Sequence, residues 1–86
     1  MIKIKQLIWD KRNVKHIAKH NASVNEIEAV CQSAIKTLKT HKGRLIVLGK
    51  TKKNRLLTVV LTPEAKGKYY PVTARDMSKK ERRILK

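Results

Sequence analysis

The chain has 86 residues, enough for one domain and too few for two, and a domain this small buries only about 60–65% of the surface its unfolded chain exposes. Lys and Arg total 22 against 6 Asp and Glu, a net charge of +16, far above the usual ~2–8 for a small soluble domain. Such self-repulsion implies a polyanionic partner: nucleic acid first, an acidic protein second, an anionic membrane third. One cysteine, Cys31, excludes an internal disulfide and a cysteine-based zinc cluster and fits a reducing cytoplasm.

The opening MIKIKQLIWD is too short in apolar residues for a signal peptide, and no segment approaches the ~20 apolar residues of a membrane span. Within Met1–Asp10, Ile2 and Ile4 alternate with lysines, which predicts a short strand. Asp10 then caps a helix from Lys11 to about His20, with Val14, Ile17 and Ala18 on its inner face. Asn21 is a plausible left-handed stop. Ser23-Val24-Asn25-Glu26 is a capping box that opens a second helix with periodic Ile27, Val30 and Cys31.

The pattern next changes to period two. Ile35–Thr40 reads as a possible strand, His41-Lys42-Gly43 as a turn, and Arg44–Lys50 and Arg55–Thr62 as two strands joined by the charged loop Thr51–Asn54. Both of these strands are apolar on both faces, which predicts central strands covered on two sides. Pro63–Gly67 is expected to be a loop and Lys68–Ala74 a strand, with Pro71 at an edge or facing away from the ladder. Ser78–Glu81 is a second capping box, opening a short helix toward Leu85. Strand, two helices, three or four antiparallel strands and a terminal helix make an α+β domain spanning 1–86.

Three blocks, WDKRNVKHIAKHN (Trp9–Asn21), GRLIVLGKTKKNRLLTVVL (Gly43–Leu61) and YYPVTARDMSKKERR (Tyr69–Arg83), cover just over half of the chain. Together they resemble the BrnT family, small toxins of bacterial type II toxin–antitoxin pairs. That pattern has a WD start, a K-H-G at the end of the first helix and an I-[ST]-A-R-x-x-x-x-x-E-R-R close. The resemblance implies a RelE-like fold, RNA cleavage in the cytoplasm, and a cognate antitoxin, usually a ribbon-helix-helix DNA-binding protein. Asn21 stands where the family usually has Gly, and Pro71 occupies a strand position more often β-branched.

Metal-free RNA cleavage needs a base for the 2′-hydroxyl, cationic donors for the phosphorane and an acid for the 5′-oxygen. Arginine suits the phosphate and histidine the proton. His16 and His20 share a helix face, and His20, which matches the K-H motif, is the better catalytic candidate; packing or surface roles compete for both. H-x-x-x-H could be half of a metal site, but no third ligand is evident and HExxH is absent, so neither metal nor cofactor is expected.

The TAR resemblance makes Arg75 the first phosphate-clamp candidate, and Arg55, beside Lys50 on the antiparallel hairpin, the second. Arg44 falls at the opposite end as a peripheral RNA contact. Arg82 and Arg83 are candidates for the RNA backbone or a solvated helix face. Tyr69 and Tyr70 point to opposite faces, so one enters the core and the other is free to stack a base, Tyr70 being the candidate. His41 is expected to be solvated, Trp9 a core anchor, and Asp76, Glu81, Ser23 and Ser78 caps. Besides an endoribonuclease, two readings stay open: a non-catalytic nucleic-acid-binding module, and a subunit that needs an acidic partner to stay soluble. No zinc-finger or RRM pattern, and no long basic amphipathic helix for a membrane, is present.

Overall fold

The computed structural model of the chain describes residues 4–40 and 42–84. Its elements are β1 (Gln6–Leu7), α1 (Lys11–Ala18), α2 (Val24–Gln32), β2 (Lys36–Lys39), β3 (Leu45–Lys50), β4 (Leu56–Ala65), β5 (Lys68–Asp76) and α3 (Lys79–Ile84). The five strands form one sheet in the order β1-β5-β4-β3-β2. Strands β2 to β5 are antiparallel neighbours, but β1 pairs with β5 in parallel, so the sheet is mixed rather than the expected antiparallel one. β1 occupies the side of β5 that β4 leaves open, and the long connection between them, through two helices and three strands, permits the parallel pairing. Part of the expected N-terminal strand, Ile2 included, lies outside the described residues, as do His41 and Leu85.

Helix α1 begins where expected. The Asp10 carboxylate accepts the Arg12 and Asn13 amides, and the Asn13 side chain returns to the Asp10 amide. Its inner face differs from the expected one. Asn13 and Ile17 are buried, whereas Val14 is 40% exposed and Ala18 is exposed. The cause is Asn13, whose Nδ2 donates to the Ile8 carbonyl at 2.9 Å and turns that side of the helix inward. The helix also ends earlier, at Ala18, leaving His20 in a turn. Asn21 takes φ 57, with its N–H bonded to Ala18 and that of Ala22 to Ile17, the paired closure of a Schellman motif. Ser23 and Glu26 form the expected box at the start of α2.

Both helices lie on one face of the sheet. Ile17, Ala22, Ile27 and Val30 pack there against Leu45, Val47, Leu57, Val59, Leu61 and Ala74 in one cluster, bordered by Trp9 and Tyr69. Gly49 lets α2 approach β3, since a Cβ there would sit 3.1 Å from both Val30 Cγ1 and the Val30 carbonyl. Alternation turns Leu48 and Thr58 to the other face. Cover on that face is partial: Leu48 and Thr58 are fully buried, while Ile46, Leu56 and Val60 stay half-buried.

The β4–β5 hairpin is longer than expected. The segment expected as the loop Pro63–Gly67 is strand as far as Ala65, and only Lys66-Gly67 turns, with Gly67 at φ +77. Pro63 is tolerated because β3 pairs with β4 only as far as Leu61. Pro71 is accommodated by a bulge: Val60 pairs with Thr73 but Leu61 with Pro71, leaving Val72 as an extra residue. The same strand continues past Ala74 to Asp76, which carries Arg75 inside β5 instead of after it.

Candidate functional site

Strand pairing sets the geometry at one end of the sheet. Leu57 pairs with Asp76, Thr58 with Arg75, and Lys50 with Leu56, so Lys50, Arg55, Arg75 and Asp76 are neighbours. The turn after α1 reaches the same end, because Arg55 Nη2 donates to the His20 carbonyl at 3.0 Å and Nη1 to the Asn21 carbonyl. Helix α3 follows Asp76 directly and adds Glu81 and the exposed Arg82 and Arg83. Four of the expected residues, His20, Lys50, Arg55 and Arg75, therefore lie at one end of the sheet, the Arg55 guanidinium with the His20 turn on the helix side and Arg75 with Thr58 and α3 on the opposite face.

The two central arginines are used differently. Arg55 spends its donors on protein. Beyond the two carbonyls, Nε donates to Asp76 Oδ1 at 2.8 Å and Nη1 to Glu26 Oε2 at 3.3 Å, with the side chain 27% exposed. It ties α1, α2 and β5 together and covers carbonyls at the end of a helix, where a cation is favoured. Arg75 is 46% exposed and makes a two-pronged pair with Glu81, Nη1 to Oε1 at 2.7 Å and Nη2 to Oε2 at 2.8 Å. Its Nη1 also reaches the Asp76 carbonyl at 3.3 Å. That occupies the terminal edge of the guanidinium. The side edge, Nε–H with the second Nη2–H, has no partner among the described residues, and it is a bidentate fork of the kind that fits a phosphate.

Charge at this end is locally balanced. The Arg55 hydrogen bond, with Arg82 and His20 nearby, holds the Asp76 carboxyl below the usual carboxylate range. Arg75, the Ser78 amide and the Thr58 hydroxyl pull the Glu81 carboxyl down to about 2. His16 and His20 stand with ring centroids 5.7 Å apart, although His20 lies in the turn beyond the end of α1. Among the described residues no three His, Cys, Asp or Glu side chains group closely enough to hold a metal ion.

Two expected RNA contacts lie elsewhere. Arg44 precedes Leu45, which pairs with Leu61, at the far end of the sheet. Tyr70 pairs with Thr62, about 17 Å along β5 from Arg75 at ~3.4 Å per residue, and its hydroxyl is bonded to both Asp10 carboxylate oxygens. Tyr69 is the tyrosine that packs against the core. Trp9 packs there too, and its indole N–H donates to Glu28 at 2.8 Å. Sequence reasoning treated Glu81 only as a cap and Asp76 likewise. The signal for more was an acidic residue facing a conspicuous arginine in a chain with only 6 acids.

A model of the family described as the ribonuclease toxin BrnT of type II toxin–antitoxin systems matches residues 9–81. Among solved structures, the chain is similar to the 1.1 Å crystal structure of the Brucella abortus ribonuclease toxin BrnT. The TM-score is 0.68 and the identity 25%, over 86% of this chain and 97% of that one. No curated protein sequence matches.

Proposed function

Because this chain belongs to the BrnT family of ribonuclease toxins of type II toxin–antitoxin systems, we propose that it cleaves RNA without a metal ion, at the junction of α1, β5 and α3. Arg75 grips the scissile phosphate through its side edge and stabilises the charge that builds on the phosphorane. His20 supplies the proton-transfer group. Arg55 holds the His20 turn and Asp76 in place, and Lys50, Arg82 and Arg83 meet the flanking phosphates. Arg44 and Tyr70 serve nucleotides farther along the strand.

The single observation that carries this reading is the unpartnered Nε/Nη2 edge of Arg75, at the end of the sheet that also carries Lys50, Arg55 and the His20 turn. One domain in the cytoplasm carries the activity, with a fold of the RelE-like kind. Its partner is an antitoxin, of the ribbon-helix-helix DNA-binding type, and a net charge of +16 favours an acidic segment from it. No described helix is long and apolar enough to cross a membrane.

The test is purified chain with single-stranded RNA in EDTA, comparing wild type with Arg75→Ala and His20→Ala. Cleavage that survives chelation and is lost in both variants is the expected result. Salt-sensitive binding without cleavage would support the non-catalytic module instead.

A further inference from the structure

We propose that Glu81 is a positioning residue for the ribonuclease reaction: with Thr58, it fixes the plane of the Arg75 guanidinium so that the free Nε/Nη2 edge is presented ready-made to a phosphate. The inference rests on the reading of Arg75 as the phosphate clamp. The capping box at the start of α3 uses only part of what Glu81 does. Its Oε1 accepts the Ser78 amide at 2.8 Å, as a capping glutamate should, but also Arg75 Nη1 and the Thr58 hydroxyl at 2.9 Å, while Oε2 takes Arg75 Nη2.

Thr58 is fully buried and paired with Leu48 on one side and Arg75 on the other. Its hydroxyl therefore ties the carboxylate to the rigid centre of the sheet. Helix α3 buries no side chain of its own, so packing does not explain this carboxylate's four bonds. An arginine free to rotate loses rotamer freedom when it grips a phosphate, and one already held does not.

Charge gives the inference a signature. Glu81 opposes the phosphate electrostatically, so it does not favour ground-state RNA binding. What it contributes is orientation, which matters at the reacting phosphate. Removing it should slow chemistry without weakening affinity, whereas loss of a merely structural contact would lower both.

The experiment uses the full chain as wild type, Glu81→Gln, Thr58→Val, Thr58→Ser, Arg75→Ala and the Glu81→Gln/Arg75→Ala double variant. Single-turnover cleavage is measured on a labelled single-stranded RNA in EDTA. Affinity is measured with a 2′-O-methyl RNA of the same sequence, and folding by urea titration. Glu81→Gln should lower the cleavage rate about ten- to hundredfold, with affinity unchanged or tighter. Thr58→Val should follow in the same direction, and Thr58→Ser should restore the rate. In the Arg75→Ala background Glu81→Gln should add nothing.

A Glu81→Gln variant that cleaves as fast as wild type or faster would overturn the inference while leaving the clamp intact. So would parallel losses of rate and affinity in Glu81→Gln with Thr58→Val unaffected. Wild-type cleavage by Arg75→Ala would remove the clamp reading itself, and this inference with it.

Discussion

Replacing Arg55 with Ala should unfold the protein more easily without disabling the chemistry, the reverse of Arg75→Ala. Its guanidinium supplies hydrogen bonds to the His20 and Asn21 carbonyls, worth about 0.5–1.5 kcal/mol each. Its pairs with Glu26 and Asp76 add roughly 0–1 kcal/mol each, because Asp76 is 65% exposed and the Glu26 contact is long. The expected loss is about 2–3 kcal/mol, or ~10–20 °C in Tm for a domain of this size. Arg55→Lys should recover little, since one ammonium cannot replace a fork that reaches four acceptors. Urea unfolding followed through Trp9, the single tryptophan, reads the effect directly. Cleavage measured at low temperature, where the variant is still folded, should remain within about tenfold of wild type. An unchanged urea midpoint with cleavage abolished would refute this reasoning and make Arg55 a phosphate ligand.

Acid should loosen the α3 end. The folded-state carboxyl of Glu81 lies at about 2, below its ordinary 4.5, so its contribution is complete above the ordinary value and disappears as pH falls toward 2. Glu81→Gln should flatten stability across that window in pH-dependent urea titrations. Gly49→Ala should cost about 1–3 kcal/mol, because the new methyl meets Val30 side chain and backbone together. Its check is a lowered urea midpoint with unchanged slope, since α2 is pushed off β3 but the unfolded chain is the same.

What could be read from residues alone was mostly what neighbours in the chain decide. The Asp10 and Ser23 caps, the left-handed Asn21 and the Arg44–Lys50 and Arg55–Thr62 strands are local matters, and each appears with at most small shifts of boundary. The parallel pairing of β1 with β5 is not local, and no turn or period announces it. The buried Asn13 defeated the apolar pattern of α1 because its partner is the Ile8 carbonyl, a backbone group invisible to hydropathy. Of the site, Arg75, Arg55, Lys50 and His20 were named beforehand. Their division of labour was not, because whether an arginine is spent on protein or left with an open edge depends on which carboxylate stands beside it. Tyr70 was named for the site, yet it lies at the other end of β5, against Asp10.

The parallel edge has a consequence for synthesis. Among the described residues β1 is made before every other strand, yet it pairs only with β5, which is made after all of them. Pairings of such high sequence separation form slowly. The nascent sheet therefore stays incomplete until β5 has been made, and the strand that pairs with β1 is the one that delivers Arg75. A chain truncated by stalled translation before that strand would lack both the finished sheet and Arg75.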